Sequence, residues 1–559
     1  MKKVFILLFI FVCIQQMTAQ NLLLQTLKSE ADRNLAELKK QPVPAYYISY
    51  RVQDQTTYDI STSFGNLIMN REPLTQRIFN VAVRVGSPQL DNTREIKESN
   101  ERGYADYNSS GYGTLGIEDN PESWRITLWQ KTDAMYVDAA KRYEKVKANV
   151  AVKVSSEDKS PDFSVETPER YVEKPVKFSD IKLDAKSWEE KMKKCSAVFN
   201  DNKDIIDSQC SFEIELLNKY FADTEGGEIL ENHLCYRIYI NAFTKANDGM
   251  DLPLYKSYFA YDIKDLPSEE QLVADAKRMS ESLSQLRTAP VADSYSGPML
   301  MAGPAASVFF HEIFGHRVEG ARLKNETDAQ TFKKKMGEMV LPADMSVIFD
   351  PQLKKSHGFS LNGQYVFDDE GVRGKRVEVV KNGRLNSFLM SRSPIEGFSN
   401  SNGHGRGMIY LNTVTRQSNT LIESSNPKSE KELREMMVEQ LKQEGKEYGY
   451  LMDQVGGGFT MTGRYMPNAF NVTPYLVYRV YADGRPDEMV RGVDLVGTPL
   501  AIFSQVAACG TSYDVFNGYC GAESGSVPVS CVSPTLYVKM VETQRKQKSQ
   551  SQPPILTRP

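Results

Sequence analysis

The chain has 559 residues, of which 40% are hydrophobic and 25% are charged. At roughly 100–200 residues per domain, this length indicates two to four domains, each with a buried core. Lys and Arg number 68 against 72 Asp and Glu, a net charge of −4. So balanced a chain has no global positive field, which argues against nucleic acid as a partner. A mean hydropathy of −0.45 argues against a protein that crosses a membrane several times.

Residues 1–19 have the features of an export signal. Lys2 and Lys3 precede an unbroken apolar run at 4–14, and Ala19 suits the position before a cleavage point. The run is shorter than the roughly 20 residues that a membrane-spanning helix needs, and no later segment is apolar enough to span. The sequence therefore predicts an exported protein, periplasmic or secreted, with no integral membrane segment after cleavage.

Residues 20–290 are predicted to form an N-terminal α/β region. Leucines at helical spacing predict a first helix, and short alternating runs after it predict strands. Two longer runs, 211–222 and 229–243, are typical of a hairpin. Residues 153–186 are rich in Ser, Pro and charge, which is typical of a connector, so two subdomains are one option for this region.

Residues 291–541 are predicted to form a second domain, because strands predominate there after one helix at 304–316. Asn382 and Gly383, between two strand-prone runs, are the strongest short hairpin signal. The expected fold class is α+β: an N-terminal α/β region followed by a strand-rich, barrel-like C-terminal domain. The tail, 542–559, is rich in Gln, Lys, Ser and Pro and is predicted to be disordered.

One short motif in the second domain carries the chemistry. His311, Glu312 and His316 form H-E-x-x-x-H, one residue longer than the H-E-x-x-H of zinc peptidases. On a regular helix, two side chains five residues apart point about 140° away from each other. Either a wide turn, a π-bulge, brings the histidines together, or Gly315 releases the helix before His316. Two buried histidines bonded to backbone carbonyls are the alternative without a metal.

The segment 296–320, which contains His-Glu-Ile-Phe-Gly-His-Arg-Val-Glu-Gly, resembles the TldD/PmbA metallopeptidases. Further stretches that resemble this family follow in the family's order. They are 368–371, 456–458, 519–521, 526–529 and 534–536. The resemblance covers about 295–540 in detail and 20–290 by general layout, and it implies that the second domain is catalytic and carries the metal-binding helix.

The resemblance also implies the site. In the family, two motif histidines and a cysteine near the C-terminus bind zinc, and the motif glutamate is the base. Carried over, one zinc ion per chain is held by His311, His316 and Cys520, with Glu312 as the general base. Thiolate is a good zinc ligand. The alternative for this cysteine is a disulfide with position 509 or 531.

The function implied is zinc-dependent hydrolysis of unfolded or short peptides, through a water that the metal activates. The family also implies a dimer, either a homodimer or a heterodimer with a metal-free paralogue. Gly456, Gly457 and Gly458 lack the Lys-Ser/Thr of a phosphate loop, so a bulge or an edge where substrate backbone adds as a strand is expected. His404 is a further candidate for contact with substrate.

Two other functions remain open from the sequence. A dipeptidyl-peptidase-III-like zinc exopeptidase also uses H-E-x-x-x-H, but its third ligand is a glutamate on a following helix, in an acidic motif that this sequence lacks. A non-catalytic zinc-binding or scaffold subunit is the other. The intact Glu312 argues against it, because a structural zinc site needs no base and usually has four protein ligands.

Overall fold

The computed structural model describes most of the chain. The described residues are 21–96, 111–152, 158–325, 328, 330–463, 470–546, 554, 556, 558 and 559. The predicted export signal lies outside them, as does the beginning of the predicted connector, 153–157. Within these ranges, every helix is either too short or too polar to cross a membrane.

The described part of the first half forms a nine-stranded sheet and four α-helices. In chain order these elements are α1 (Leu22–Leu38), β1 (Ala45–Ser63), β2 (Asn66–Asn70), β3 (Leu74–Ser87), β4 (Leu90–Asp91), β5 (Tyr112–Thr114), α2 (Pro121–Val152), β6 (Arg170–Val172), α3 (Ala185–Ala197), β7 (Asp207–Asp223), β8 (Glu228–Lys245), β9 (Asp251–Ala260) and α4 (Glu269–Thr288). The strand order is β4-β3-β1-β7-β8-β6, with β2, β5 and β9 paired to β1, β3 and β8. The predicted hairpin is β7 with β8.

The two faces of this first sheet have different neighbours. Tyr50 and Tyr58 of β1 share a face, because side chains alternate along a strand. Tyr50 packs with α1 and α2, and Tyr58 packs with α3 and α4. Arg51, on the opposite face, donates to the carbonyl oxygen of Gly407 in the second half of the chain. The sheet is therefore a layer between its own helices and the second half.

The described part of the second half contains an eleven-stranded sheet, two separate two-stranded sheets and four α-helices. Its elements are β10 (Tyr295–Met301), α5 (Gly303–Ile313), α6 (Gly320–Lys324), β11 (Met345–Phe349), β12 (Lys355–Ser356), β13 (Phe359–Ser360), β14 (Val377–Lys381), β15 (Arg384–Leu385), β16 (Gly405–Arg406), β17 (Val414–Thr415), β18 (Asn419–Ser424), α7 (Glu430–Glu444), β19 (Tyr448–Thr460), β20 (Phe470–Tyr481), β21 (Glu488–Val490), β22 (Val493–Gly497), α8 (Pro499–Phe503), β23 (Val506–Ala522) and β24 (Gly525–Arg545). β10 pairs with both β19 and β24, which closes a ring β10-β19-β20-β22-β24. The α+β class with a strand-rich, barrel-like second half is confirmed.

Helix α5 lies inside this curved sheet, where it packs against β19, β20, β23 and β24. Gly303 begins it with a φ of 55°, which favours glycine, and Pro304 occupies the first turn. All residues from Ala305 to Ile313 are buried. A helix enclosed in this way is expected to be apolar on all sides. His311 and Glu312, in its last turn, are therefore exceptions, and their burial calls for a functional explanation.

Local signals in the sequence are reproduced in the second half. Asn382 and Gly383 have φ angles of 49° and 79° and join β14 to β15. Both lie in the left-handed region, which a two-residue hairpin of this type requires. Ser429 and Glu432 form a capping box at the start of α7.

Three expectations concern irregular or separate segments, and the described residues show regular structure in parts of them. The predicted connector contains β6 and the start of α3, and β1 pairs directly with β7, so the segments on both sides of the connector share one sheet rather than forming two subdomains. The first residues of the predicted disordered tail belong to β24, which pairs with β22 as far as Arg545, whereas 547–553, 555 and 557 lie outside the described residues. Arg558 also donates to the carbonyl of Phe199, and Lys203 donates to the carbonyl of Pro559.

Candidate metal centre

The two motif histidines come together because helix α5 ends between them. The helix ends at Ile313, and Gly315–Arg317 form a 3₁₀ turn that carries His316. The ring centroids of His311 and His316 are 5.0 Å apart. Release of the helix at Gly315 is therefore the correct alternative, and the π-bulge is wrong.

Gly315 is required by the packing of this turn. A Cβ atom at this position would lie 1.9 Å from Oε1 of Gln417. The same Gln417 places its Nε2 3.4 Å from the carbonyl oxygen of His311, at the end of α5. The missing side chain thus lets Gln417 lie against the turn and hold the end of the helix.

His311, His316 and Cys520 each place one donor atom within 4.8 Å of the others, and the described residues contain no other such metal-ligating group. Sγ of Cys520 lies 3.2 Å from Nε2 of His316. Nδ1 of His311 is buried and has no hydrogen-bond partner among the described residues, although buried polar atoms normally have one. Two imidazoles and a thiol whose ligating atoms lie this close together fit a bound cation. Two imidazoles and one thiolate suit zinc and leave a fourth position open.

Glu319 orients His316, one of these three metal-ligating side chains. Its Oε2 lies 3.2 Å from Nδ1 of His316 and accepts a bond of 2.8 Å from Nε of Arg322. Burial alone would raise the pKa of the Glu319 carboxyl, but His316 and Arg322 lower it to about 2. The group is therefore a carboxylate, which holds a proton on Nδ1 and leaves Nε2 of His316 facing Cys520.

Cys520 lies on β23 and is 2% exposed. Burial alone would raise the pKa of its thiol, but His316 and His311 lower it well below its usual value. The thiolate is the form that binds metals. All six described cysteines are free, so the alternative of a disulfide from Cys520 to Cys509 or Cys531 is not realised in the structure.

A cavity of about 400 Å³ adjoins the donor group. This volume is within the usual range for ligand pockets. Glu312 and the glycines at 456–458 line it together with the three donors. A Cβ atom on Gly458 would lie 2.6 Å from Cγ of Glu312, so the absence of a side chain there makes room for the glutamate. The structure thus brings the glycine run and Glu312 to the histidines and Cys520.

His404, which was expected to contact substrate, does not line this cavity. It is fully buried, with Nδ1 3.0 Å from Oδ1 of Asn402 and Nε2 3.0 Å from Oγ of Ser418. Burial and the nearby Arg406 lower the pKa of its imidazole to about 3. A histidine between glycines is typical of an exposed loop, and the sequence carries no sign that this loop is covered.

Sequence reasoning missed Glu319 and Arg322. A carboxylate three residues after the second motif histidine is a signal that could have found Glu319, since residues at this spacing share one side of a helical turn. Arg322 also donates to Glu523 at 2.9 Å and to the Thr462 hydroxyl at 3.2 Å. No pattern in the sequence predicts these contacts, because they join distant segments.

The comparisons with known proteins find relatives that are named metalloproteases. Residues 294–545 match the family model described as PmbA/TldA metallopeptidase C-terminal domain. A protein of Archaeoglobus fulgidus named metalloprotease is 31% identical over 260 residues, which are 46% of this chain and 56% of that protein. A Saccharolobus solfataricus protein named zinc metalloprotease TldD homolog is 23% identical over 384 residues, 66% of this chain and 80% of that protein. TldE from Thermococcus kodakarensis has the same fold, with a TM-score of 0.60, 14% identity and coverage of 92% of this chain and 99% of that one.

A two-histidine, one-cysteine donor group at the end of a helix inside a strand-rich barrel defines the class: a candidate metal-dependent peptidase domain. The family model and the relatives make the assignment specific. Through residues 294–545 the chain is similar to the C-terminal domain of the TldD/PmbA metallopeptidases. The match spans little more than half the length of the Archaeoglobus relative.

Proposed function

We propose that this chain is a zinc-dependent peptidase in which His311, His316 and Cys520 hold one zinc ion. The observation that carries the proposal is that His311, His316 and Cys520 bring one metal-ligating atom each to within 4.8 Å of one another, at the wall of a cavity that Glu312 also lines. The name zinc metalloprotease of the Saccharolobus relative supports the same chemistry. A zinc ion bound there would supply a Lewis acid for the scissile carbonyl and an activated water.

The protein's own groups do the rest of the work. Glu312 takes the proton of the attacking water and passes it to the leaving amine. It follows His311 directly on α5, so the helix that carries a donor also carries the base, and Gly458 leaves the carboxylate room. Glu319 keeps the proton of His316 on Nδ1, which leaves Nε2 without a proton and free to bind the metal.

The substrates we propose are unfolded or short peptides. β19 pairs with β10 only at residues 450–452, and beyond them that side of β19 has no strand partner in the described part of the chain. Gly456, Gly457 and Gly458 lie in this stretch. An exposed strand edge binds an extended peptide through main-chain hydrogen bonds. Cleavage of a stably folded protein as fast as its denatured form would contradict this proposal.

The two alternatives have less support. A dipeptidyl-peptidase-III-like site needs a glutamate as third ligand, but Glu319 contacts Nδ1 of His316, the nitrogen that faces away from Cys520. In the proposed site the thiolate of Cys520 is the third ligand instead. A non-catalytic zinc-binding or scaffold subunit has no need of Glu312 at the wall of a cavity.

We further propose that the protein works as a dimer, with itself or with a metal-free paralogue, and that this chain is the zinc-bearing subunit. The shared fold with TldE supports a partner of the same fold. Light scattering at micromolar concentration should give the mass of two chains. A monomer that hydrolyses peptides would contradict this proposal.

The apolar run at 4–14 supports export, to the periplasm or the medium. N-terminal sequencing of the protein isolated from its native source should find a start near residue 20. A chain that still begins at Met1 would contradict export.

The peptidase proposal is tested by the zinc content of the purified protein and by its hydrolysis of an unstructured peptide. We expect one zinc ion per chain, loss of hydrolysis when a chelator removes the metal, and recovery when zinc is returned. Full hydrolysis by the metal-free protein would contradict the proposal.

A further inference from the structure

The cavity beside the donor group has two distinguishable ends, which two chain segments define. The ring centroid of Phe516 on β23 lies 6.3 Å from that of His311 on α5. Seven residues later, in the turn directly after β23, Glu523 accepts a 2.9 Å hydrogen bond from Arg322, which lies eleven residues beyond His311. Cys520 lies between these two contacts. The segment from α5 to Arg322 therefore runs along the cavity in the same direction as strand β23.

Strand β19 follows the same axis on another wall of the cavity. Gly458 faces Glu312, in the middle of the cavity. Four residues later the Thr462 hydroxyl accepts a bond of 3.2 Å from Arg322, at the end where Glu523 lies. All three segments thus reach the end of the cavity at Arg322, and α5 and β23 also form the opposite end at Phe516.

The end at Phe516 is apolar. Val308 precedes His311 by three residues and Glu312 by four, so it shares their side of α5 and lines the cavity. Phe516 shares the face of β23 that carries Cys520, since four residues separate them, and it packs beside Cys520 in one apolar cluster. A large apolar side chain from a peptide gains free energy there by leaving water.

The end at Arg322 is charged. The Arg322 guanidinium pairs with Glu319 and Glu523, and the side chain of Glu523 is 35% exposed, more than that of either partner. An apolar side chain at this end would remove water from these charges without pairing them, which costs free energy. A basic side chain would instead find the exposed carboxylate of Glu523.

We propose that this polarity determines which peptides the site accepts. A large apolar side chain on one side of the scissile bond binds at Val308 and Phe516, and a polar or basic side chain on the other side binds at Glu523. The inference rests on the proposed peptidase function, because it takes the donor group between the two ends as the place of cleavage.

The test uses two blocked hexapeptides of identical composition, in which one Phe and one Lys flank the central bond in opposite orders and alanines fill the other positions. Binding is measured by fluorescence anisotropy on the zinc-loaded Glu312→Gln protein, and kcat/KM is measured on the wild type. We expect one order to be preferred about ten-fold or more in both measurements, a usual size for discrimination by an apolar pocket.

The outcomes separate this inference from the proposed function. Equal binding of the two orders, or no binding of either, would overturn the inference, even if the wild type hydrolyses both peptides. Selective binding without hydrolysis by the wild type would contradict the proposed function and leave the inference standing.

Two variants test which residues form the apolar end and the charged end of the cavity. Phe516→Ala and Glu523→Gln should each reduce the preference between the two peptide orders to within about three-fold. Phe516→Ala removes the contact with the Phe of the peptide, and Glu523→Gln removes the charge that pairs with its Lys. Phe398→Ala and Glu338→Gln, which lie outside the cavity lining, are the matched controls and should keep it. If Phe516→Ala does not fold, Phe516→Leu replaces it. A preference unchanged in both cavity variants would overturn the assignment of the ends.

Discussion

Nδ1 of His316 lies 3.2 Å from Oε2 of Glu319, and both side chains are buried. A carboxylate that accepts the proton of one imidazole nitrogen fixes the orientation of the ring and leaves the other nitrogen as the metal ligand. In this protein that other nitrogen, Nε2, faces the thiolate of Cys520. The carboxylate of Glu319 therefore holds the ring of His316 in the orientation that a metal ligand on Nε2 needs.

Glu319→Gln should weaken zinc binding by about 10- to 100-fold, the usual effect of losing such a partner. The amide keeps the shape of the side chain but loses the negative charge that His316 and Arg322 pair with. Competition with a chromophoric chelator measures the zinc affinity. Glu338→Gln, at an exposed ion pair, is the control. Wild-type affinity in Glu319→Gln would show that the carboxylate does not support the donor.

Gly458→Ala should reduce peptide hydrolysis by about 100-fold, because displacing a catalytic group by 1 Å has effects of this size. The new Cβ would lie 2.6 Å from Cγ of Glu312 and 3.0 Å from the carbonyl oxygen of Asn471, so the glutamate must move. Zinc content should not change. Gly463→Ala, whose Cβ would have no atom within 4 Å, is the control. Equal rates for the two variants would contradict the place assigned to Glu312.

The part of the site that the sequence predicts is the part that lies in one short segment. His311, Glu312 and His316 stand in one motif, and Gly315 offers a way to bring the histidines together. Cys520 is 204 residues from His316. No local pattern connects the two, and only the resemblance to a family pointed to this cysteine.

The fold shows the same division. The turn at Asn382 and Gly383 and the cap at Ser429 follow from the chemistry of a few adjacent residues, so both could be predicted. The pairing of β1 with β7 could not, because it joins strands that are separated by two helices and several short strands. The burial of His404 likewise depends on Ser418 and on packing from other segments.

Cys520→Ser should lower zinc affinity by more than about 100-fold, because a hydroxyl that stays protonated replaces the thiolate ligand. Cys509→Ser and Cys531→Ser should keep full zinc content in whatever fraction of the protein folds. Metal analysis of each folded variant after gel filtration makes the comparison. Full zinc in Cys520→Ser, or loss of zinc in only one of the other two, would mean that the third ligand is assigned wrongly.

The most direct test of the whole account is Glu312→Gln, assayed for zinc and for peptide hydrolysis in the same preparation. The account predicts one zinc ion per chain, as in the wild type, because Glu312 is not a ligand. It predicts that hydrolysis falls by about 10²- to 10⁴-fold, because the general base is lost. Hydrolysis at the wild-type rate, or loss of the zinc ion, would contradict the roles given to Glu312 and to the three donors.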